Sequence, residues 1–385
     1  MLARRFLNER DHLREAAPGN RRVFEDRRRR DARQRAMRRI EDSLRKRVAQ
    51  NTPASDRTRE ILGRISWSEK LEDARPVDLV IEAVYEDLNV KRPVVERLEA
   101  ICSAQTVLAT NTSTLSLTEL AAGMQRPERF LGLHFFNPAH HMPLVEVIRH
   151  DRLSPEVLAA SLGLLKRLRK TPVVVRNREG FVVNRLFMPY MEEVFWLLEE
   201  GASPRAIDSA MVRFGFPMGP VALSDMTGLD VVVNGHGVLQ RAMPRIGPFS
   251  HIAHRLVAAG HLGQKTGEGV YSYRPGDRTP LDSPAANAII AAVRAERGAA
   301  ARDFRSEEIE ERLVMRMICE ATYVLAEEIV DLPDDIDVAT VLGLGFPDFR
   351  GGLMRMARDL GEAQVRSKLN RLAEEHGDRF APATP

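Results

Sequence analysis

Three short apolar runs in the middle of the chain each end in polar residues. The runs are VDLVIEA at Val77–Ala83, TVLAT at Thr106–Thr110 and FLGL at Phe130–Leu133. Continuous apolar runs of this length, with helical patterns between them, predict strands of a parallel sheet that is buried on both faces. Ligands of such sheets bind outside the carboxyl ends of the strands. We therefore expect the polar residues that follow the runs to face one shared crevice: Glu86, Ser113 and His134.

The same pattern predicts further strands and the helices around them. Strands are expected at Ile65–Trp67, at Leu144–Ile148 (LVEVI) and at Thr171–Val175 (TPVVV). A helix capped by Asp87 or Asn89 should run to Ile101, with Pro93 in its first turn. A charged amphipathic helix is predicted at residues 36–47.

Beyond Gly180 the apolar residues recur at helical spacing. Helices are predicted at Phe181–Glu200, from Ser203 onward, at Val231–Gln240 and at Ile252–Ala259. Arg274–Pro284 has the composition of a linker.

The helical half also contains an internal repeat. Asn184-Arg185-Leu186, Glu193, Ile207-Asp208 and Gly215-Phe216-Pro217 are echoed at similar spacing by Glu311-Arg312-Leu313, Glu320, Ile336-Asp337 and Gly345-Phe346-Pro347. Such self-similarity predicts a duplicated helical unit. Because the second copy has Glu311 where the first has Asn184, we expect the first copy to carry chemistry and the second to support the structure.

Length and composition bound the class of protein. A chain of 385 residues with 44% hydrophobic residues is large enough for two or three globular domains. No apolar run reaches the length of a membrane span. Cys102 and Cys319 form neither a disulfide framework nor a metal motif, which fits a reducing compartment, and we expect a cytoplasmic protein.

Positive charge is concentrated at the start of the chain. Residues 1–40 hold fourteen arginines and six acidic residues, although the net charge of the whole chain is only +3. Basic arms can contact nucleic acid or membranes, but acidic residues are interspersed here and no groove-reading motif accompanies the charge. We interpret residues 1–35 as a solvated leader, not as a signal or transit peptide. We expect neither nucleic acid nor a membrane as a partner.

His134 and Glu146 are polar residues at positions where the apolar pattern predicts burial. His134 directly follows a buried strand, and Glu146 lies between two valines inside LVEVI. A carboxylate among apolar neighbours must be paired or protonated. If His134 were a core histidine with satisfied hydrogen bonds, its position would be explained, but the position of Glu146 would not. A pair in which a neutral imidazole takes a proton and a carboxylate orients it explains both residues.

Four longer motifs resemble those of one protein family. They are ATNTSTL (Ala109–Leu115), HFFNPAHHMPLVEVI (His134–Ile148), GFVVNRL (Gly180–Leu186) and GQKTGEGVY (Gly263–Tyr271). In this order they are similar to motifs of the 3-hydroxyacyl-CoA dehydrogenases, including the dehydrogenase part of the multifunctional fatty-acid oxidation enzymes. The resemblance extends from about Ala36 to the C-terminus, and GLGFPDFRGG (Gly343–Gly352) resembles the second C-terminal domain of the multifunctional enzymes.

The resemblance implies a fold and a domain order. The expected fold is an α/β Rossmann-like domain, incomplete at its N-terminus, followed by two all-α 6-phosphogluconate-dehydrogenase-like domains. The expected boundaries are a leader at 1–35, the incomplete NAD-binding domain at 36–178, a helical substrate and dimerisation domain at 179–274, a linker at 275–303 and a second helical domain at 304–385.

One part of the family pattern is missing. A dinucleotide site needs G-x-G-x-x-G for a tight turn and for close approach to the pyrophosphate, and the chain contains no such motif. Residues 1–15 have a helix-forming polar pattern unlike a first Rossmann strand, whereas Arg22–Asp26 is open to interpretation as a remnant of the second strand. A truncated or frame-shifted coding region would produce this result, and so would an evolutionary replacement. Loss of a central strand would leave unpaired strand edges unless another segment fills the gap.

The resemblance also implies a function and the residues that perform it. The expected activity is the NAD-dependent oxidation of an L-3-hydroxyacyl-CoA to the 3-oxoacyl-CoA in fatty-acid β-oxidation. His134 and Glu146 would form the catalytic dyad, while Ser113 and Asn184 would hold the substrate oxygen. Contacts to NAD are implied for Val84, Tyr85, Glu86, Lys91, Ser113, Asn137 and Lys265.

Simpler structural roles remain open for several of these residues. Ser113 is also suited to cap a helix, and Asn137 to form a turn before Pro138. Asn184 lies within a predicted helix, where asparagine has poor propensity, so a hydrogen-bonding role is favoured.

The charged residues have alternatives of their own. Glu86 and Lys91 would otherwise be solvated charges at the start of a helix, and Lys265 an ordinary loop lysine. His140 and His141 are neighbours, as in some metal sites, but no third ligand at a suitable spacing accompanies them. We expect no metal.

Two functions of different classes therefore remain. The first is an active 3-hydroxyacyl-CoA dehydrogenase that acts on acyl-CoA as a homodimer or in association with other β-oxidation enzymes. The second is a cofactor-binding-defective relic or a non-catalytic acyl-CoA-binding subunit, because the Gly-rich loop is missing. Binding of NADH distinguishes the two.

Overall fold

The computed structural model describes residues 2–3, 21–24, 36–44, 54–68, 70–298 and 302–383. Contacts divide the chain into two compact units. The first unit comprises Met1–Phe135 and Val145–Pro172, and the second comprises Phe136–Leu144 and Val173–Pro385.

A single large sheet organises the first unit. Its strands are β1 (Leu2–Ala3), β2 (Arg21–Phe24), β3 (Ile65–Ser68), β4 (Leu79–Glu82), β5 (Val107–Thr110), β6 (Phe130–Phe135), β7 (Leu144–Arg149) and β8 (Thr171–Arg176). Their order in the sheet is β3-β2-β1-β4-β5-β6-β7-β8. The three predicted apolar runs are β4, β5 and β6, and they pair in parallel, which confirms the Rossmann-like sheet.

The centre of this sheet is buried because its strands are apolar on both faces. Leu79, Val107 and Leu131 are each no more than 1% exposed. The predicted strand LVEVI is β7, but it runs antiparallel to β6. A continuous apolar run indicates burial and not direction, so the sequence pattern could not reveal this orientation.

The N-terminal part of the sheet differs from the prediction. Leu2–Ala3 form β1, which lies between β2 and β4 and is antiparallel to both strands. The gap in the middle of the sheet is therefore filled, but by a strand of reversed direction. Arg21–Phe24 form β2, parallel to β3, which supports the interpretation of this segment as a second strand. Glu25 and Asp26, the remaining residues of that segment, and most of the arginine-rich leader lie outside the described residues.

Helices cover the sheet of the first unit. They are α1 (36–44), α2 (Ala54–Gly63), α3 (Leu88–Ile101), α4 (Leu117–Ala121) and α5 (Pro155–Arg167). Of the two predicted caps for α3, the cap is Asp87, whose side chain accepts from the Asn89 N–H at 2.7 Å. Pro93 lies inside α3, one turn later than predicted. Short 3-10 helices lie at Leu71–Ala74 and Pro127–Arg129.

The second unit contains the last four residues of β8, and its other described residues are helical apart from a two-stranded hairpin and loops. Its helices are α6 (Val183–Glu199), α7 (Pro204–Phe214), α8 (Pro220–Thr227), α9 (Leu229–Ala242), α10 (His251–Ala258), α11 (Pro284–Glu296), α12 (Ser306–Ala326), α13 (Pro333–Ala339), α14 (Leu353–Leu360) and α15 (Glu362–His376). The hairpin pairs β9 (Tyr271–Ser272) with β10 (Leu281–Asp282). Single-turn helices lie at Pro244–Ile246, Thr340–Leu344, Asp348–Arg350 and Asp378–Phe380.

Part of the expected linker at 275–303 has regular structure. Strand β10 and helix α11 both fall within it. Ser283 caps α11 by accepting from the Ala286 N–H at 3.0 Å, and Pro284 occupies its first turn. The prediction of a linker therefore holds only for the turns on either side of β10.

The two copies of the predicted repeat contain equivalent interactions. Asp208 accepts hydrogen bonds from the first turn of α8, including Val221 N at 2.7 Å. Asp337, its counterpart, accepts from the first turn of α14, including Met354 N at 2.6 Å. A Cβ on Gly219 would lie 2.2 Å from Asp208 Cγ, so only glycine fits there.

No helix among the described residues is long and apolar enough to cross a bilayer. Likewise, no cluster of three or more His, Cys, Asp or Glu side chains within these ranges is placed to hold a metal ion.

Candidate active site

The His134 and Glu146 side chains meet across two strands of the first unit. The two residues lie directly opposite each other in the antiparallel β6–β7 pair, so their side chains share one face of the sheet. His134 Nδ1 lies 2.7 Å from Glu146 Oε2. Glu146 is 0% exposed and His134 is 7% exposed. The predicted pair is therefore present, and it satisfies the carboxylate that the sequence places among valines.

This contact determines which imidazole nitrogen can act as a base. A carboxylate accepts hydrogen bonds, so the Nδ1 proton is directed at Glu146. The neutral imidazole then has its acceptor lone pair on Nε2. Removal of Glu146 would leave the ring without this orientation.

Glu86 is the centre of a hydrogen-bonded cluster at the carboxyl ends of β4 and β5. Glu86 Oε1 accepts from the Thr112 hydroxyl at 2.6 Å and from the Ser113 N–H at 2.7 Å. The Ser113 hydroxyl donates to the same oxygen at 3.2 Å. The cap of α4 is Ser116, so the interpretation of Ser113 as a helix cap is wrong.

The charge of Glu86 is stabilised by these contacts. Burial acts to raise the pKa of Glu86, but hydrogen bonds from Thr112 and Ser113 and the Lys91 ammonium outweigh it and hold the pKa below its usual value. The Glu86 carboxylate is therefore held in place by hydrogen bonds, although Glu86 itself is exposed.

Lys91 is almost completely buried beneath the loop that contains Glu86. It is 1% exposed, and its Nζ lies 3.0 Å from Glu82 Oε1 and 3.2 Å from Glu86 Oε2. It also donates to the Val84 carbonyl at 3.1 Å. The interpretation of Lys91 as a solvated charge is therefore wrong, and these contacts give the lysine a role in holding the loop.

Val84 and Tyr85 are presented outward by this arrangement. The two residues are 39% and 79% exposed respectively. The Val84 N–H donates to Glu82 Oε1 at 2.5 Å, and the Val84 carbonyl accepts from Lys91. Both polar backbone groups of Val84 are thus fixed, while its side chain and that of Tyr85 face solvent.

Two residues of this site were missed by the sequence analysis. Glu82 is 4% exposed and accepts from Lys91, from Val84 N and from the Thr110 hydroxyl at 2.6 Å. A carboxylate at the end of an apolar run is the signal that could have identified it. Asn111 Oδ1 accepts from the Phe135 N–H at 2.9 Å and so fixes the strand end beside His134.

The remaining predicted site residues lie in the second unit. Asn184 is in the first turn of α6 and is half-buried between Val183 and Arg185, which are fully buried. Asn137 is exposed and precedes Pro138 through a cis peptide bond. Lys265 forms an ion pair with Asp230 in the first turn of α9.

The rings of the neighbouring histidines His140 and His141 pack against each other at a tilt of 48°. Their ring centroids are 4.2 Å apart. Both side chains are exposed in the loop before β7.

Two family models match consecutive parts of the chain. The model for the NAD-binding domain of 3-hydroxyacyl-CoA dehydrogenase matches residues 16–178. The model for the C-terminal domain of the same enzyme matches residues 180–273. The first match includes β2, so the family likeness begins earlier than Ala36.

Curated relatives are similar over most of this chain. The chain is 38% identical over 313 residues to the fatty acid oxidation complex subunit alpha of Shewanella amazonensis, which covers 80% of this chain and 43% of that protein. It is 39% identical over 320 residues to the subunit of the same name from Acinetobacter baylyi, covering 82% of this chain and 44% of the relative. The chain thus spans less than half the length of these relatives.

Solved structures agree with this likeness. A 3-hydroxybutyryl-CoA dehydrogenase from Escherichia coli K12 superposes with a TM-score of 0.81 at 28% identity, covering 94% of this chain and 91% of that chain. The FadB2 protein of Mycobacterium tuberculosis is 35% identical with a TM-score of 0.62, covering 66% of this chain and 90% of that chain. These matches and the two family models show that the chain belongs to the 3-hydroxyacyl-CoA dehydrogenase family.

Proposed function

We propose that this chain oxidises the hydroxyl of an L-3-hydroxyacyl-CoA to the 3-oxo group with NAD as cofactor. The observation that carries the proposal is the His134–Glu146 pair, in which a fully buried carboxylate lies 2.7 Å from Nδ1 of a nearly buried imidazole. A charge in such a position is costly unless it is paired. Orientation of a general base is a chemical reason to retain it.

The proposed role of His134 is to take the hydroxyl proton of the substrate at Nε2. Glu146 holds the imidazole in the required tautomer and stabilises the imidazolium that forms. Ser113 and Asn184 are proposed to hold the substrate oxygen, and Glu86 positions Ser113 through its N–H and hydroxyl. Bound NAD supplies the acceptor for the hydride that leaves C3.

The residues present suit the nicotinamide and ribose side of NAD. The exposed loop of Val84 and Tyr85 follows the carboxyl end of β4, where open α/β sheets bind ligands. Its backbone is held by Glu82 and Lys91. We propose that Val84, Tyr85 and Glu86 hold the cofactor here, with Asn137 and Lys265 as further contacts, while Lys91 acts from beneath the loop.

A second candidate function rests on one specific observation. The chain contains no G-x-G-x-x-G, so the usual amide donors to the pyrophosphate are missing from it. Hydrogen bonds to charged groups contribute about 1.5–3 kcal/mol each, and loss of several would weaken cofactor binding by orders of magnitude. The alternative is thus a relic or a subunit that binds acyl-CoA without turnover.

Fluorescence titration with NADH separates the two functions. The dehydrogenase should bind NADH and oxidise it after acetoacetyl-CoA is added. A relic should bind acyl-CoA while leaving NADH unbound up to millimolar concentration. Circular dichroism on the same sample ensures that a negative result comes from folded protein.

We also propose a setting for the activity. The similar curated relatives are subunits of fatty acid oxidation complexes, and we propose that this chain acts in cytoplasmic β-oxidation in association with other enzymes of that process. Co-purification of a hydratase or thiolase activity with the tagged chain would support this association.

The finer division of the helical unit is likewise a proposal. We propose two 6-phosphogluconate-dehydrogenase-like copies at 179–274 and 304–385. Reciprocal ion pairs between α6 and α12 support this description. A homodimer through the helical region is proposed from the family resemblance, and light scattering after size exclusion tests it.

A further inference from the structure

A buried ammonium connects the end of β4 to the loop that follows it. Lys91 lies in the first turn of α3, and its Nζ contacts three acceptors. These are Glu82 Oε1 at 3.0 Å, the Val84 carbonyl at 3.1 Å and Glu86 Oε2 at 3.2 Å. An ammonium has three N–H donors, so each of these acceptors can take one of them. The position of Lys91 therefore depends on Glu82, and the positions of Val84 and Glu86 depend on Lys91.

The two carboxylate oxygens of Glu86 face different partners. Oε2 faces Lys91, whereas Oε1 accepts from the Ser113 N–H at 2.7 Å and from the Thr114 N–H at 3.2 Å. Glu86 thus links the ammonium to the segment after β5. A displacement of Lys91 would move the acceptor that holds Ser113.

Glu82 is itself fixed by the end of β5. The Thr110 hydroxyl donates to Glu82 Oε2 at 2.6 Å. Thr110 is 0% exposed and Glu82 is 4% exposed, so these residues act on a ligand through their neighbours. A buried carboxylate is costly unless it is paired, and the contact with Lys91 gives this one its counter-charge.

We propose that Glu82, held by Thr110, is a positioning residue of the reaction, which acts through Lys91 on the Val84–Glu86 loop and on Ser113. The inference rests on the proposed dehydrogenase function, in which this loop holds the cofactor and Ser113 holds the substrate oxygen. Because one ammonium supports both, a shift of Lys91 changes the position of the cofactor relative to the substrate. A misplacement of about 1 Å between reacting groups can lower a rate by about 10²-fold.

Two nearly isosteric substitutions test this role. Glu82→Gln removes the charge that faces Lys91, while Glu86 remains as a counter-charge for the ammonium. Thr110→Val removes the hydroxyl that donates to Glu82, and Thr110→Ser retains that hydroxyl. Thr110→Val changes no charge, so it provides the same test if Glu82→Gln does not fold.

Thr106→Val is the matched control. Thr106 is also buried, and it directly precedes β5 at the opposite end of the strand from Thr110. Its hydroxyl donates to the Val77 carbonyl at 2.7 Å. The substitution therefore removes a buried threonine hydroxyl and its hydrogen bond, away from the carboxyl ends of the strands.

Hydrogen exchange tests the connection without any ligand. The amides of Ser113 and Thr114 donate to Glu86 and not to Glu82. In Glu82→Gln both amides should exchange faster by about tenfold or more, the factor expected when one hydrogen bond to a charged group is lost. Thr110→Val should change the exchange in the same direction, Thr110→Ser should restore it, and Thr106→Val should leave it unchanged. Wild-type exchange at both amides in Glu82→Gln and in Thr110→Val would overturn the proposal.

Catalysis tests whether the connection positions the reacting groups. With both ligands saturating, kcat for acetoacetyl-CoA reduction should fall by about tenfold to 10²-fold in Glu82→Gln. The same substitution in Ser113→Ala should cost several-fold less, because the residue that it positions is already altered. A role in stability alone would give equal losses of kcat in both backgrounds, and that result would overturn the proposal.

Calorimetric binding of acetoacetyl-CoA separates this inference from the proposed function. Binding without turnover, weakened non-additively by Glu82→Gln and Ser113→Ala, would reject the dehydrogenase and retain the positioning role of Glu82. Turnover by the wild type, with wild-type kcat and wild-type amide exchange in Glu82→Gln, would retain the dehydrogenase and reject the positioning role.

Discussion

Arg185 of α6 and Arg312 of α12 each bind glutamates on the other's helix. Arg185 Nε donates to Glu320 Oε1 at 2.8 Å, and Arg312 Nε donates to Glu193 Oε1 at 2.8 Å. Arg185 and Glu193 of the first copy of the repeat correspond to Arg312 and Glu320 of the second. In each contact, the arginine of one copy therefore binds the glutamate of the other copy. Both arginines are 1% exposed and both glutamates are fully buried. A buried charge left without its partner is strongly destabilising.

We predict that loss of either arginine destabilises the helical unit by a similar amount. Arg185→Leu and Arg312→Leu should each lower the free energy of unfolding by about 3–5 kcal/mol. Arg366→Leu is the control, since Arg366 pairs with exposed Glu362 on the surface of α15 and should cost no more than about 1 kcal/mol. Urea denaturation measures all three. If Arg312→Leu lowers the free energy of unfolding by as little as Arg366→Leu, the Arg312–Glu193 ion pair does not stabilise the helical unit.

Acid should weaken the same pairs. Burial acts to raise the pKa of Glu193 and Glu320, but the facing arginines outweigh it and hold each pKa below its usual value. A carboxyl with a depressed folded-state pKa contributes stability at pH values above its unfolded value of about 4.3, and this stability is lost as the pH falls through the folded value. We predict an unfolding midpoint that falls steeply below about pH 4.5. In Arg312→Leu the pH dependence should be shallower in this range.

Half-buried Asp208 and buried Asp225 predict the opposite dependence of stability on pH, in a different pH range. Burial raises the pKa of Asp208 and of Asp225 to about 6. Since this exceeds the unfolded value of about 3.9, folding takes up protons, and the stability that these groups contribute is present below about pH 4 and lost as the pH rises through 6. Asp208→Asn should flatten the dependence of unfolding free energy on pH between about 4 and 6. Asp282→Asn, at an exposed partner of Arg205, is the control and should leave that dependence unchanged.

Glu86 should affect catalysis through Ser113. Glu86→Gln keeps an oxygen for the Ser113 N–H but removes the charge that faces Lys91. Hydrogen bonds to a charged group contribute about 1.5–3 kcal/mol, so kcat/KM for acetoacetyl-CoA reduction should fall by about tenfold or more. Glu119→Gln, on the exposed face of α4, provides the comparison and should have no effect. Equal rates in wild type and Glu86→Gln would remove Glu86 from the proposed site.

The sequence predicts those residues of the site whose polar side chains interrupt or end a buried apolar run. The sequence predicts His134 and Glu146 as partners because His134 follows a buried apolar run and Glu146 lies inside another. The β6–β7 register places the two residues opposite each other. The Glu82–Lys91 contact was not predicted, because spacing along the chain does not reveal which buried charges meet across a loop. The two-residue strand β1 was missed for a related reason. The direction of β1 and its place in the sheet depend on its pairing with β2 and β4. A pattern of only two residues cannot specify that pairing.

The dyad predicts coupled losses of rate. His134→Gln and Glu146→Gln should each lower kcat by about 10²–10⁴-fold, the range that a positioned general base supplies. The double variant should be little worse than the worse single variant, because the two residues act as a unit. Fully multiplicative losses would instead assign them independent roles.

The most direct test of the account is single-turnover oxidation of NADH by acetoacetyl-CoA, with both ligands saturating, in the wild type and in His134→Gln. The account predicts rapid loss of NADH absorbance in the wild type and a rate at least about 10²-fold lower in the variant. Equal rates in the two proteins, or no oxidation by wild-type protein that has bound NADH, would contradict it.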